Sequence, residues 1–170
     1  GTLYSHVRRG REGSIFYYDA DYIADKNAYA LEPAMPLMSG GFAFPQGLPR
    51  SFRDASPDRW GRTLIEKNLL QQWRSNKVAA RTVTEVDYLL NTSDFTRQGA
   101  LRFRRSGTES FEATTTHVPK LISLPKLLAA ANSLCQEDEG DSGAFDAVKT
   151  LLDAGTGSLG GARPKSSVVD

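Results

Sequence analysis

Pro33, Pro45 and Pro49 interrupt the stretch of chain where β-forming residues are concentrated, and they limit what can fold there. Proline lacks a backbone N–H and fits neither a helix interior nor a central strand, so extended pieces between these positions must be short. Ahead of them, Ser14-Ile15-Phe16-Tyr17-Tyr18 predicts a strand ending at the turn-formers Asp19, Asp21 and Asp25. Met35-Pro36-Leu37-Met38 and Gly41-Phe42-Ala43-Phe44 predict two shorter extended pieces.

Helical signals begin at Asp54-Ala55-Ser56-Pro57-Asp58-Arg59-Trp60. Ser56 is the expected N-cap, Pro57 the first helical residue, and Asp58 an acid at the positive end of the helix dipole. Trp60, Leu64, Leu70 and Trp73 carry the periodicity to about residue 73. A second helix is expected over Thr84–Leu90, capped by Thr84. Gly99–Arg104 alternates like a strand, Ser106–Glu109 reads as a turn, and Phe111–Thr116 reads as a partner strand. A third helix capped by Ser123 would place Leu124, Leu127, Leu128, Ala131, Leu134 and Cys135 on one face. A last helix would carry Phe145, Val148, Leu151 and Leu152 and stop at Ala154-Gly155. Strands in the first two-thirds, with helices between and after them, define an α+β chain.

Composition excludes several classes. With 170 residues, 39% hydrophobic and 24% charged, the chain can bury a core without staples. One cysteine, Cys135, rules out an intrachain disulfide framework and fits a reducing cytoplasm. Two histidines, His6 and His117, add too few ligands for a zinc site, and no metal ligand is assigned. No apolar run approaches the roughly 20 residues of a bilayer span. A formal net charge of +1 gives no global footprint for nucleic acid. Arg8-Arg9-Arg11 and Arg102-Arg104-Arg105 are modest basic clusters, open to two readings: a contribution to a complex on DNA, or simply charged strand edges that resist aggregation. Trp60 and Trp73 read as core anchors, Cys135 as a buried small hydrophobe, and the polar cluster Asp54, Ser56, Asp58, Arg59, Arg62 as a helix start rather than a catalytic group.

The strongest chemical signal is Gly155-Thr156-Gly157-Ser158-Leu159-Gly160-Gly161-Ala162-Arg163-Pro164-Lys165. Successive glycines turn backbone N–H groups toward one point and admit an anion without Cβ clash. A dinucleotide-binding reading requires a strand before the glycines, whereas a helix precedes them here. The Walker reading fails because Gly161 stands where lysine is required. A kinase-type loop covering ATP phosphates survives best, beside the plainer reading of a glycine linker after a helix cap. Arg163 and Lys165 add cations to a loop that already favours anions.

Gly157 to Lys165 resembles the glycine-rich loop of the HipA family of toxin kinases, which often read S-x-G-G-x-x-P-K there. Phe52–Arg62 and Asp94–Phe103 are similar to the same family's amino-terminal region, and Phe16-Tyr17-Tyr18-Asp19 fits its early strand. The resemblance spans nearly the whole chain, with its motifs in the family's order. It implies a HipA-type amino-terminal subdomain over 1–112 and, over 113–170, the beginning of a protein-kinase-like core ending at the glycine loop. It further implies a serine/threonine protein kinase, the toxin of a bacterial toxin–antitoxin pair, using ATP and Mg2+. Its expected partners are a DNA-binding, HipB-like antitoxin and a protein substrate such as an aminoacyl-tRNA synthetase (glutamyl-tRNA synthetase in the type case), with no membrane. Ser158 matches the family's autophosphorylation site, and Gly160, Gly161, Ala162, Arg163, Pro164 and Lys165 match its ATP-contacting positions. A phosphoserine there would repel the γ-phosphate by like charge. The family's strand lysine, catalytic aspartate and magnesium ligands lie downstream of the loop. The chain therefore reads as a portion of a longer enzyme, inactive alone, rather than a natural protein with a frayed tail. The other class of function left open is a non-catalytic amino-terminal module that binds a partner kinase or antitoxin.

Overall fold

The computed structural model describes residues 1–94, 97–108, 111, 124–136, 148, 150 and 151. These form a three-stranded antiparallel sheet with helices, an α+β arrangement. Two compact units are resolved: residues 1–54 with 84–86, and residues 55–83 with 87–170. The expected boundary between residues 112 and 113 falls outside the described residues.

In the first unit, β1 (Thr2–Arg8) and β2 (Arg11–Tyr17) form a hairpin in which Leu3 faces Phe16 and Arg8 faces Arg11. β1 was not expected from the sequence, because its residues offer no clean alternation of apolar and polar positions. β2 confirms the predicted strand, and β3 (Gly41–Phe44) pairs with it from Tyr17↔Gly41 to Ser14↔Phe44. The inner face of the sheet carries Phe16, 3% exposed, which meets Tyr18 and Phe52 edge to face at centroid distances of 4.9 and 5.4 Å. Such ring contacts add to area burial and fix the angle between elements. Tyr17 on the outer face lies over Gly41, where a Cβ would come within 2.8 Å of the ring.

Proline limits the regular structure as expected. Met35 is fully buried, but Pro36–Met38 form no strand; Met35 makes a single bridge to Glu32. Two short helices went unpredicted: α1 (Ala20–Ala24), in the run read as turn-formers, and α2 (Arg50–Asp54), which follows Pro49. The Pro49 carbonyl accepts from the N–H groups of Phe52 and Arg53, and Glu32 Oε2 accepts from Ser51 N–H at 2.7 Å, meeting donors that a helix start leaves open. The intervening loops are held by buried polar groups. Tyr18 donates its hydroxyl proton to the Met35 carbonyl at 2.8 Å and accepts from Leu31 N–H at 2.9 Å. Ser14, 1% exposed, donates to the Gly47 carbonyl at 2.6 Å.

In the second unit α3 (Arg59–Ser75) is the longest element. Its N-cap is Asp58, whose carboxylate accepts from Gly61 N–H at 2.8 Å, and not Ser56 as expected. The helix begins two residues later than expected, at Arg59, and Asp58, itself in extended backbone, caps it with its carboxylate. Buried Trp60, Leu64, Ile65 and Leu69 line α3, with Leu69 taking the place expected of Leu70, which is 40% exposed. Trp60 and Leu64 pack with Leu127 and Ala131 of α5 (Leu124–Gln136) and with Val148 and Leu151, both in helical conformation. Leu128 departs from the expected face and is exposed. Ile65 and Leu69 pack with Tyr88, and Trp73 and Val83 close over them. Tyr88 belongs to α4 (Glu85–Leu90), the predicted second helix, whose first two residues lie in the first unit.

Gly99–Arg104 forms no strand. Gly99 adopts φ 83°, and the Phe103 ring lies against the Arg97 guanidinium at 4.8 Å, so the segment is held by side-chain contact rather than a ladder. The turn after it forms, with Thr108 N–H donating to the Arg105 carbonyl. Of the expected return strand only Phe111 is described.

Removing the Tyr18 hydroxyl tests how the proline-limited loops are held. Tyr18→Phe strands the Met35 carbonyl and Leu31 N–H, and should destabilise the chain by about 1–3 kcal/mol in urea unfolding. A midpoint matching wild type would show that these bonds do not hold the loops.

Candidate functional site

Ser158 and Gly160, Gly161, Ala162, Arg163, Pro164 and Lys165 lie outside the described residues, as do His117 and the Ser123 cap. The other two segments that carry the family resemblance are largely described, and the structure brings parts of them together at one buried arginine.

Arg97 is 7% exposed, and its side chain and that of Asp94 are each 1% exposed. Its Nε donates to Asp94 Oδ1 at 3.0 Å. Nη1 donates to the Ala55 carbonyl at 3.0 Å, and Nη2 to the carbonyls of Leu89 and Thr92 at 2.8 and 2.7 Å. Asp94–Arg97 belongs to one resembling segment and Ala55 to the other, so a single guanidinium ties them. A planar fork with five donors suits this task, because it can hold several acceptors at fixed angles while keeping its charge. Asp94 Oδ2 is buried with no hydrogen-bond partner among the described residues, beside the charge of the neighbouring guanidinium.

Around this knot the end of α4 is also pinned. Asn91 donates its side-chain amide to the Asp87 carbonyl, and Thr92 donates its hydroxyl to the Tyr88 carbonyl, each at 2.8 Å. Tyr88 donates to Glu66 of α3, and the Arg62 guanidinium stacks on the Tyr88 ring at 4.4 Å. Arg81 grips Asp87 with two bonds of 2.6 Å. The hydrogen bond to Asp87 holds the Arg81 guanidinium above its ordinary range, against a smaller opposing effect of burial.

This arrangement positions backbone; it does not transfer protons. Each carbonyl that meets Arg97 is fixed by it, and the arginine's charge is spent inside the protein. Among the described residues no group of three or more His, Cys, Asp or Glu could hold a metal ion, and no helix is long and apolar enough to cross a membrane. The polar cluster at residues 54–62 proves to be a helix start: Asp58 caps, and Arg62 Nε donates to the Pro57 carbonyl at 3.2 Å. The Arg97 knot was missed in the sequence, where Asp94 and Arg97 stand three apart in an apparently polar turn. A charged pair just before the alternating Gly99–Phe103 stretch was the available signal.

Arg97→Met tests the knot. It leaves Asp94 charged and buried without its partner, at a cost of about 3–5 kcal/mol in urea unfolding. Adding Asp94→Asn should recover part of the loss by removing the stranded charge. A double variant no more stable than Arg97→Met would mean that the carbonyl contacts, and not the ion pair, carry the effect.

No curated protein and no solved structure matches the chain. The family model described as the HipA N-terminal domain matches residues 1–104, which takes in the hairpin, α3, the Arg97 knot and Phe103. With more than half of its length covered by that match, the chain belongs to the HipA N-terminal domain family.

Proposed function

We propose that this chain is the amino-terminal portion of a HipA-like serine/threonine protein kinase, the toxin of a bacterial toxin–antitoxin pair. The match to the HipA N-terminal domain over residues 1–104 carries the reading. The glycine-rich run at 155–165, which follows in the same chain with Arg163 and Lys165 at its end, supports it. In this reading residues 1–112 form the accessory subdomain and 113–170 open the kinase core. Gly160, Gly161, Ala162, Arg163, Pro164 and Lys165 meet the phosphates of ATP, which arrives with Mg2+. Ser158 is the autophosphorylation site, and its phosphate bars ATP by like charge. A HipB-like antitoxin restrains the enzyme and supplies the main DNA contact. The substrate is a translation component of the aminoacyl-tRNA synthetase type. The compartment is the bacterial cytoplasm.

The test joins the gene to the chemistry. Beyond Asp170 the parent should encode a strand lysine, then a catalytic aspartate and an asparagine. The parent incubated with labelled ATP and Mg2+ should label Ser158, and Ser158→Ala should abolish that label. The 170-residue chain alone should stay unlabelled. A parent without those downstream residues and without label would instead be a non-catalytic module that binds a partner kinase or antitoxin.

A further inference from the structure

The tip of the β1–β2 hairpin breaks three local rules within four residues. Arg8, Arg9 and Arg11 are all exposed, and Gly10 is the only uncharged residue between them. Arg8 and Arg11 face one another across the strands, a like-charge pair that opposes hairpin formation. Arg9 and Gly10 form the two-residue turn at φ 53° and 74°. Both central positions of such a turn need positive φ, for which asparagine or glycine is the favoured first residue and arginine is strained. None of the three arginines has an acid partner among the described residues. Glu12, the nearest acid, sits on the opposite face and is already engaged. It accepts from the Ser5 hydroxyl at 3.2 Å and from Glu85 N–H at 2.8 Å.

The tip also stands clear of the third strand. β2 pairs with β3 only from Tyr17 back to Ser14, and Gly47 N–H takes the Glu12 carbonyl at 2.8 Å. Beyond Glu12 only two strands remain. Tyr4 and His6, both exposed, continue the face that carries Arg8. A charged edge that merely deters aggregation needs neither a strained arginine in the turn nor two arginines set opposite each other.

We propose that this arginine-tipped hairpin docks on duplex DNA and neutralises backbone phosphates. A polyanion relieves the Arg8–Arg11 repulsion on binding, and the guanidinium fork matches phosphate oxygens bidentately. A two-stranded ribbon fits the major groove of B-form DNA, whereas the deep, narrow major groove of duplex RNA excludes side chains. The surface owes nothing to ATP or to a kinase core, so its test is separate from that of the kinase reading.

The probe is a fluorescent mixed-sequence duplex of about 20 base pairs, titrated with the full 170-residue chain at several NaCl concentrations. Binding should weaken linearly in log–log form with salt. Replacing the tip by Arg8→Gln, Arg9→Asn and Arg11→Gln should make that slope shallower by about 2.7, at about 0.9 per phosphate contact. Over a roughly fourfold rise in salt, wild type should then lose about 40-fold more affinity than the variant. Asparagine at position 9 suits the turn, so the variant should keep the wild-type circular dichroism. A control with Lys26→Gln, Arg74→Gln and Lys77→Asn removes equal charge elsewhere and should leave the slope near wild type. No binding to the duplex, an unchanged slope in the tip variant, or an equal change in the control would overturn the proposal. So would binding to an oligoglutamate peptide but not to the duplex, which would make the partner an acidic protein segment.

Discussion

The second unit depends on keeping one guanidinium charged and buried among its acceptors. Withdrawing an ion from water is expensive unless its partners replace the lost hydration, and Arg97 does so with Asp94 and three backbone carbonyls. Those carbonyls come from Ala55, Leu89 and Thr92, that is, from just before α3, from within α4 and from just after it. Moving any of them leaves a donor bare, so the ion fixes three stretches of chain at once. Phe103 lies against the same guanidinium, which draws in the segment that follows. No strand forms over residues 99–104, where Phe103 is held by this side-chain contact instead of a ladder.

The first unit solves a different problem. Its prolines forbid long elements, so loops cover much of the small sheet, and each buried loop group must find a partner. Tyr18 answers for Leu31 and Met35, Ser14 for Gly47, Glu12 for Glu85, and Glu32 for Ser51. Phe16, Tyr18, Phe42 and Phe52 supply apolar area and meet edge to face, a geometry that adds to area burial.

Legibility followed the range of the interaction. Signals within a few residues were readable: β2 and β3 from β-branched and aromatic runs, α3 and α4 from apolar spacing, and the turn near Gly107. Errors arose where a distant partner decided the outcome. Gly99–Arg104 alternates like a strand, but Arg97 claims Phe103. Leu69 displaces Leu70 because Tyr88, 19 positions on, sets the buried side of α3 there. α2 forms after Pro49 because Glu32 supplies an acceptor for its open end. Of the candidate site, the two amino-terminal segments were recognised by their residues, but the bond between Ala55 and Arg97 that joins them has no local signature.

Arginine serves two opposed purposes in this chain, and what separates them is the source of its acceptors. Arg97, Arg81 and Arg104 each find oxygen within the protein, and Arg62 adds a ring as well as a carbonyl. The 102–105 cluster looked as basic as the hairpin in the sequence, yet Arg104 donates to Thr108 and lies against Phe111, so that its charge serves a local turn. At Arg8, Arg9 and Arg11 the fold instead sets like charges opposite each other and places arginine where backbone geometry resists it. Interactions that oppose folding persist where something outside the fold rewards them. An arginine with internal acceptors stabilises the chain; three with none among the described residues, set at a projecting turn, direct the charge outward.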